Sequence, residues 1–250
     1  VLPAEGVTKA EFLRLHQQGE VLLQQGQAAQ AEHLFRDLLA RLKVDAAYDH
    51  AVTLIRLGRC LEAQGQPTQA ITLHRRALQG FERLSPSNQN AKKMLGRVYT
   101  NLGNNLATVG QFDEAQQAYE SSLEISKEVD DQPGIDLTLS RVGELALRRH
   151  DLAEARRCYS EALDTFRQLR EPQMEAVAWH QLGMVAEEGK KWNEAERCYR
   201  KAVRIDEQMN NTKGIAKTCN QLAVVSVAAG RLDDAEQWFL RTIEHAEYLP

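Results

Sequence analysis

Residues Asn101 to Leu123 read NLGNNLATVGQFDEAQQAYESSL, and the spacing of small and large residues in this stretch recurs six times along the 250-residue chain. With Gly103 as origin, Ala115 lies twelve residues on, Tyr119 sixteen and Leu123 twenty. The same offsets join Gly19 to Ala31, Phe35 and Leu39, Gly58 to Ala70, His74 and Leu78, and Gly143 to Ala155, Tyr159 and Leu163. Gly183 leads to Ala195, Tyr199 and Val203, and in the last copy Ala223 holds the origin before Ala235, Phe239 and Ile243. Seven residues past the origin a turn glycine recurs as Gly26, Gly65, Gly110 and Gly230; Gly189 comes one place early in the fifth copy, and His150 replaces it in the fourth.

Apolar residues fall three, four and seven apart on both sides of each turn, which predicts one helical hairpin per copy. Two helices alone cannot bury their apolar faces, so each copy requires the next. The expected fold is all-α, a right-handed solenoid of six stacked antiparallel hairpins. Small residues at the origin and twelve later allow close helix approach, and the aromatic at sixteen is expected to fill the gap to a neighbour.

The segments WHQLGMVAEEG and NEAERCYRKAV in copy five, with YTNLGNN and FDEAQQAY in copy three, carry a resemblance to tetratricopeptide repeat proteins. Trp179, Leu182, Gly183, Ala195, Tyr199 and Ala202 match that family's pattern place for place. The origins at 103, 143, 183 and 223 are 40 apart rather than the family's usual 34, and the proline after the second helix is missing. The chain thus resembles the long-repeat members, such as kinesin light chain and bacterial signalling-protein arrays. The resemblance covers about Thr8 to Glu247.

Thirty-one basic residues against 35 acidic ones give a net charge of −4, with no overall attraction to nucleic acid or an anionic membrane. No apolar run reaches the length of a membrane helix, and VLPAEGVTKA lacks the parts of a signal peptide. Cys60, Cys158, Cys198 and Cys219 show neither C-x-x-C pairing nor metal-ligand spacing. Cys158 and Cys198 occupy one slot in adjacent copies, about 10 Å apart by helix packing and too far for a disulfide. Reduced packing thiols imply a cytoplasmic setting.

Residues 1–8 read as a disordered lead-in and 9–250 as a single array, with repeats near 9–46, 48–85, 91–131, 133–171, 173–211 and 213–249. Pro67 is expected to stop the chain before a second helix capped by Thr68. The second and third origins are 45 apart, so about five extra residues fall in Ser85 to Asn90, as a loop or an added helical turn. Asp113, Asn193 and Asp233 are expected N-caps, with Glu114, Glu154, Glu194 and Asp234 in first turns near the positive helix end. The apolar second helix of copy six runs to Leu249 and Pro250, which suggests association through that end or further chain.

No H-E-x-x-H, phosphate loop or G-x-S-x-G elbow is present, and the recurring glycines sit at repeat offsets, so no catalytic residue, cofactor site or metal site is predicted. The resemblance implies a concave face lined by the first helix of each hairpin, where a peptide segment of a partner lies. The matching places include Arg56, Arg59, Arg141 and Arg148, joined on the inner face by Arg97 six before its origin, and their guanidinium forks suit carboxylate or phosphate. They also include Asn101, Asn104, Gln181, Asn220 and Gln221, amides able to hold a peptide backbone, and His180, which shares its place with His16. Glu62 and Glu144 could instead simply neutralise neighbouring arginines. The expected function is a non-catalytic module binding a peptide segment, favoured to be acidic or phosphorylated. The alternative is a sensor or regulatory segment of a larger bacterial switch protein or caspase-like protease system.

Overall fold

The computed structural model describes residues 7–43 and 46–246. Among the described residues there are twelve α-helices and no strand. They pair as α1 (Lys9–Gln24) with α2 (Ala28–Arg41), α3 (Ala47–Ala63) with α4 (Pro67–Leu84), and α5 (Gln89–Thr108) with α6 (Phe112–Glu128). Then come α7 (Gln132–Arg148) with α8 (Leu152–Leu169), α9 (Pro172–Glu188) with α10 (Trp192–Gln208), and α11 (Thr212–Ala228) with α12 (Leu232–Ala246). The chain divides into two compact units, one ending at Arg141 and the other beginning at Val142, so the boundary falls within α7.

The origin glycine has a steric cause. A Cβ added to Gly58, Gly103 or Gly143 would come within 2.5, 2.5 and 2.7 Å of the ring at the sixteenth place, His74, Tyr119 or Tyr159. The ring therefore lies on the glycine of its own copy and also joins the core shared with the next: Phe35 clusters with Leu57 and Cys60, and Tyr159 with Ala178 and Leu182. Ala31, Ala70, Ala115, Ala155 and Ala195, twelve past the origin, are fully buried. In copy six, with Ala223 at the origin, Phe239 is 41% exposed.

Each hairpin closes through one device. The residue seven past the origin is left-handed, and the next amide donates back to the carbonyl five residues earlier: Gln27 to Leu22, Gln66 to Leu61, Gln111 to Leu106, Asp151 to Ala146, Lys191 to Ala186 and Arg231 to Ser226, all at 2.8–2.9 Å. Glycine takes that backbone without strain at Gly110 (φ 81), whereas His150 (φ 58) and Lys190 (φ 55) adopt it with a side chain, at a cost of about 1–2 kcal/mol each. Lys190, not Gly189 (φ −76), is the turn residue of copy five.

This closure overturns the expected caps. Because the next helix begins directly after the closing amide, Asp113, Asn193 and Asp233 fall inside their helices, which start at Phe112, Trp192 and Leu232. Side-chain caps come instead from Thr8, Asn88, Asp151 and Asn211. Pro67 does not stop the chain; it is the first residue of α4, where its missing N–H is harmless, and Thr68 follows inside the helix. Ser85–Ser87 form a 3-10 turn, and α5, capped by Asn88, is 20 residues long against 17 for α9 and α11. The lead-in expected over residues 1–8 lies partly outside the described residues; Val7 packs on the first hairpin's core, and Thr8 accepts from the amide of Glu11. On α12, Leu232, Leu240 and Ile243 are exposed, and residues 247–250 lie outside the described residues.

Candidate functional site

In the first unit, α3, α5, α6 and the start of α7 enclose a cavity of about 360 Å³. Arg56 and Arg59 of α3 and Arg97 and Asn101 of α5 line it with Val52, Ile55, Met94 and Leu137. Four residues chosen from sequence are thus brought together. They meet because places −6, −2 and +1 relative to each origin fall on one stripe of the first helix.

Its floor is polar and saturated. Thr100 Oγ1 lies 2.7 Å from Ser122 Oγ and 3.0 Å from Thr138 Oγ1, and all three side chains are buried. Ser122 donates to the carbonyl of Gly96 at 2.8 Å and Thr138 to that of Gly134 at 2.8 Å, which leaves the Thr100 proton for one of these two hydroxyls or for the carbonyl of Gly96 at 3.4 Å. Every hydroxyl proton has an acceptor, so the floor needs no ligand to be stable.

The walls are less balanced. The Glu20 carboxylate receives Arg56 on Oε1 at 3.0 Å and Arg59 on both oxygens, at 3.0 and 3.2 Å. Asp131, whose side chain is 1% exposed, has Lys93 Nζ at 2.8 Å on one oxygen and Arg97 Nε at 3.7 Å on the other. Four cations therefore share two carboxylates. Burial lowers the Arg56 pKa, Glu20 opposes this, and the like charges of Arg59 and Arg97 add to the lowering. An added anion would relieve that repulsion.

A second polar chain lies beside the cavity. His74 Nε2 is 2.8 Å from Glu62 Oε1, and Asn105 Nδ2 donates to the same oxygen at 2.6 Å. Burial raises the Glu62 pKa, but the hydrogen bonds from His74 and Asn105 outweigh it and hold the carboxyl below its usual value. Glu62 is thus hydrogen-bonded into the interior, while the charge of Arg59 also contributes to holding its carboxyl down. Asn104 accepts the Tyr119 hydroxyl at 2.9 Å through its side-chain oxygen.

The other predicted residues separate. Arg141, half-buried on α7, is not among those lining the cavity, and Arg148, Gln181, Asn220 and Gln221 belong to the second unit. His180 does not face a groove: it is buried, 3.0 Å from Thr218 Oγ1, with its ring 5.3 Å from that of Tyr199. Burial, with a contribution from Lys217, lowers its pKa to about 4. His16 to Thr53 at 3.2 Å and Thr100 to Thr138 at 3.0 Å repeat this tie between successive first helices. The place three before the origin is therefore a packing place, which its polar residues disguise.

Sequence reasoning missed Glu20 as the arginines' partner, the buried Asp131 and the hydroxyl floor. It also missed the row six before each origin, except at Arg97. That row was legible, since it lies four residues from the place two before the origin; in the second unit it exposes Val177, with Met184 further along α9 and Val224 on α11.

Burial pushes the Cys60 and Cys158 thiols up to about 12 and Cys219 up to about 11, so at neutral pH they are protonated packing groups. Among the described residues no group of three His, Cys, Asp or Glu side chains could hold a metal ion, and no helix is long and apolar enough to cross a membrane.

Solved structures share this fold at low identity. BtubC (BKLC) from P. vanneervenii is 21% identical, covers 94% of each chain and has a TM-score of 0.72. A Signal Transduction ATPase with Numerous Domains (STAND) protein with a tetratricopeptide repeat sensor, from Pyrococcus horikoshii, is 16% identical with a TM-score of 0.83; the match covers 96% of this chain and 36% of that one. A Rap protein complexed with Competence and Sporulation Factor is 15% identical with a TM-score of 0.65, covering 96% and 77%. No curated protein sequence matches the chain. The family description Tetratricopeptide repeat matches residues 11–83, 94–168, 135–208 and 174–247. Spacing, glycine-on-ring packing and these matches agree: the chain belongs to the tetratricopeptide repeat family.

Proposed function

We propose that the chain is a protein-binding module without chemistry of its own, and that it takes an extended acidic or phosphorylated segment of a partner against α3, α5 and α7 of the first unit. The observation that carries this reading is the excess of cations over carboxylates around a cavity with apolar walls. Guanidinium groups bind such anions through paired hydrogen bonds, and Val52, Ile55 and Leu137 would receive apolar side chains between the acids. The similar Rap structure, solved with Competence and Sporulation Factor, supports a ligand-binding role for this fold.

The test is the Arg59→Ala, Arg97→Ala double variant, with partner affinity measured across a salt series. Affinity should fall and its salt dependence should flatten by about one charge for each arginine removed, with helicity unchanged. Unchanged affinity and slope would remove the acidic segment from the proposal. A second reading, a sensor segment within a larger signalling protein, is supported by the likeness to the sensor-bearing STAND protein. The sequence of the whole gene decides it: an open reading frame with no nucleotide-binding or protease region would end it.

A further inference from the structure

Helix α10 carries Arg197, Arg200, Lys201 and Arg204, all exposed, at the spacing that places them on one stripe. They rim a shallow concavity of about 460 Å³ whose other lining is Trp179, Glu194 and Cys198. The framework does not demand this charge. The same four places hold Gln117, Glu120, Ser121 and Glu124 in copy three, and Arg157, Ser160, Glu161 and Asp164 in copy four.

Four like charges on one stripe repel one another, and the surroundings offset this only in part. Lys201 Nζ lies 3.8 Å from the centre of the Trp179 ring. Arg200 is 2.8 Å from Glu196 and lies over the Trp238 ring at 5.0 Å. Glu194, the acid in the concavity, is already bonded to Arg156. Among the described residues no carboxylate lies within ion-pair distance of Arg197 or Arg204, and Arg197 acts on Glu194 only through its charge. A second concavity adjoins through Arg197 and Glu194 and adds Lys190 and Lys191, so the positive surface continues to the hairpin turn.

We infer that this stripe is a docking site for an acidic helix of a partner protein. Arg197 to Arg204 spans two helical turns, about 10 Å, and carboxylates at i, i+3, i+4 and i+7 of a second helix repeat at the same interval. Glu194, Glu196 and Glu207 flank the stripe and disfavour a continuous phosphodiester strand, which would have to pass over them. The inference does not depend on the reading of the α3, α5 and α7 face.

The test uses three probes: a helical peptide with glutamates at i, i+3, i+4 and i+7, a permuted peptide of the same composition, and an oligo-dT strand. Binding to the full chain and to the Arg197→Glu, Arg204→Glu variant is followed by fluorescence anisotropy at two salt concentrations, with circular dichroism verifying the fold. The striped peptide should bind the full chain at least about tenfold more tightly than the permuted one, and the charge reversal should abolish this through like-charge repulsion. In the Arg59→Ala, Arg97→Ala variant the striped peptide should keep its preference over the permuted one, because that preference belongs to α10, whatever either peptide loses at the α3 and α5 face. Equal binding of the two peptides, tighter binding of oligo-dT, or binding lost in the α3 and α5 variant but kept in the α10 variant would each overturn the assignment.

Discussion

The first-helix faces of the two units share one frame and differ in chemistry. In the first unit the stripe presents Arg56, Arg59 and Arg97 over a hydroxyl floor; in the second, the corresponding places hold Gln181, Met184, Val177, Gln221 and Val224. The glycine and ring contact is the same in both, at Gly103 on Tyr119 and Gly143 on Tyr159. The repeat therefore dictates where side chains stand along the first helix and leaves their charge open. Specificity resides in that open choice.

The largest effect tests whether the frame is shared. Tyr119→Ala in the first unit and Tyr159→Ala in the second should each lower stability by about 3–5 kcal/mol in urea unfolding, since both rings are almost fully buried. A change within error at either place would break the claim that both units rest on this contact.

A smaller effect separates packing from groove at the place three before the origin. The folded pKa of His180 is about 4 against an ordinary 6.5, lowered first by burial and then by Lys217. A base whose pKa is lowered by folding stabilises the fold fully above its unfolded pKa. That contribution is lost as the pH falls from about 6.5 towards about 4, because only the unfolded chain takes up the proton. The contribution is at most about 3 kcal/mol. His180→Gln keeps a partner for Thr218 and should flatten this part of the stability profile. His16 in the first unit, lowered to about 4 by burial and then Arg56, should retain its own slope. An unaltered profile in the His180 variant would return that residue to the solvent-facing groove.

The fold was legible because the contacts that set it lie within one copy: a glycine and a ring sixteen residues apart can be read without knowing what packs on them. The arginines were legible as residue types on a stripe. Their partners were not, since Glu20 reaches Arg56 and Arg59 from the preceding hairpin and Asp131 reaches Lys93 and Arg97 from the turn that leads into α7. Such pairings depend on rotamers and helix offset rather than on spacing. His180 misled for the converse reason, a polar side chain at a buried place, where a single hydrogen bond to Thr218 makes burial tolerable.

The smallest effect sharpens the contrast between the units by removing an acid rather than a base. Glu20 holds Arg56 and Arg59 at 3.0 Å, so Glu20→Gln frees two guanidinium groups at the cavity without removing bulk. Because all three side chains are partly exposed, stability should change by no more than about 1 kcal/mol. Affinity for an extended acidic peptide should rise several-fold at low salt and converge on that of the unaltered chain as screening shortens the reach of the freed charges. Met184 holds the same place in the second unit, and Met184→Gln, which uncovers no cation, should leave that affinity unchanged. A rise in both variants would mean that the peptide responds to a polar side chain at this place and not to released arginines. A fall with Glu20→Gln would mean that the carboxylate positions the guanidinium groups for the ligand more than it competes for them.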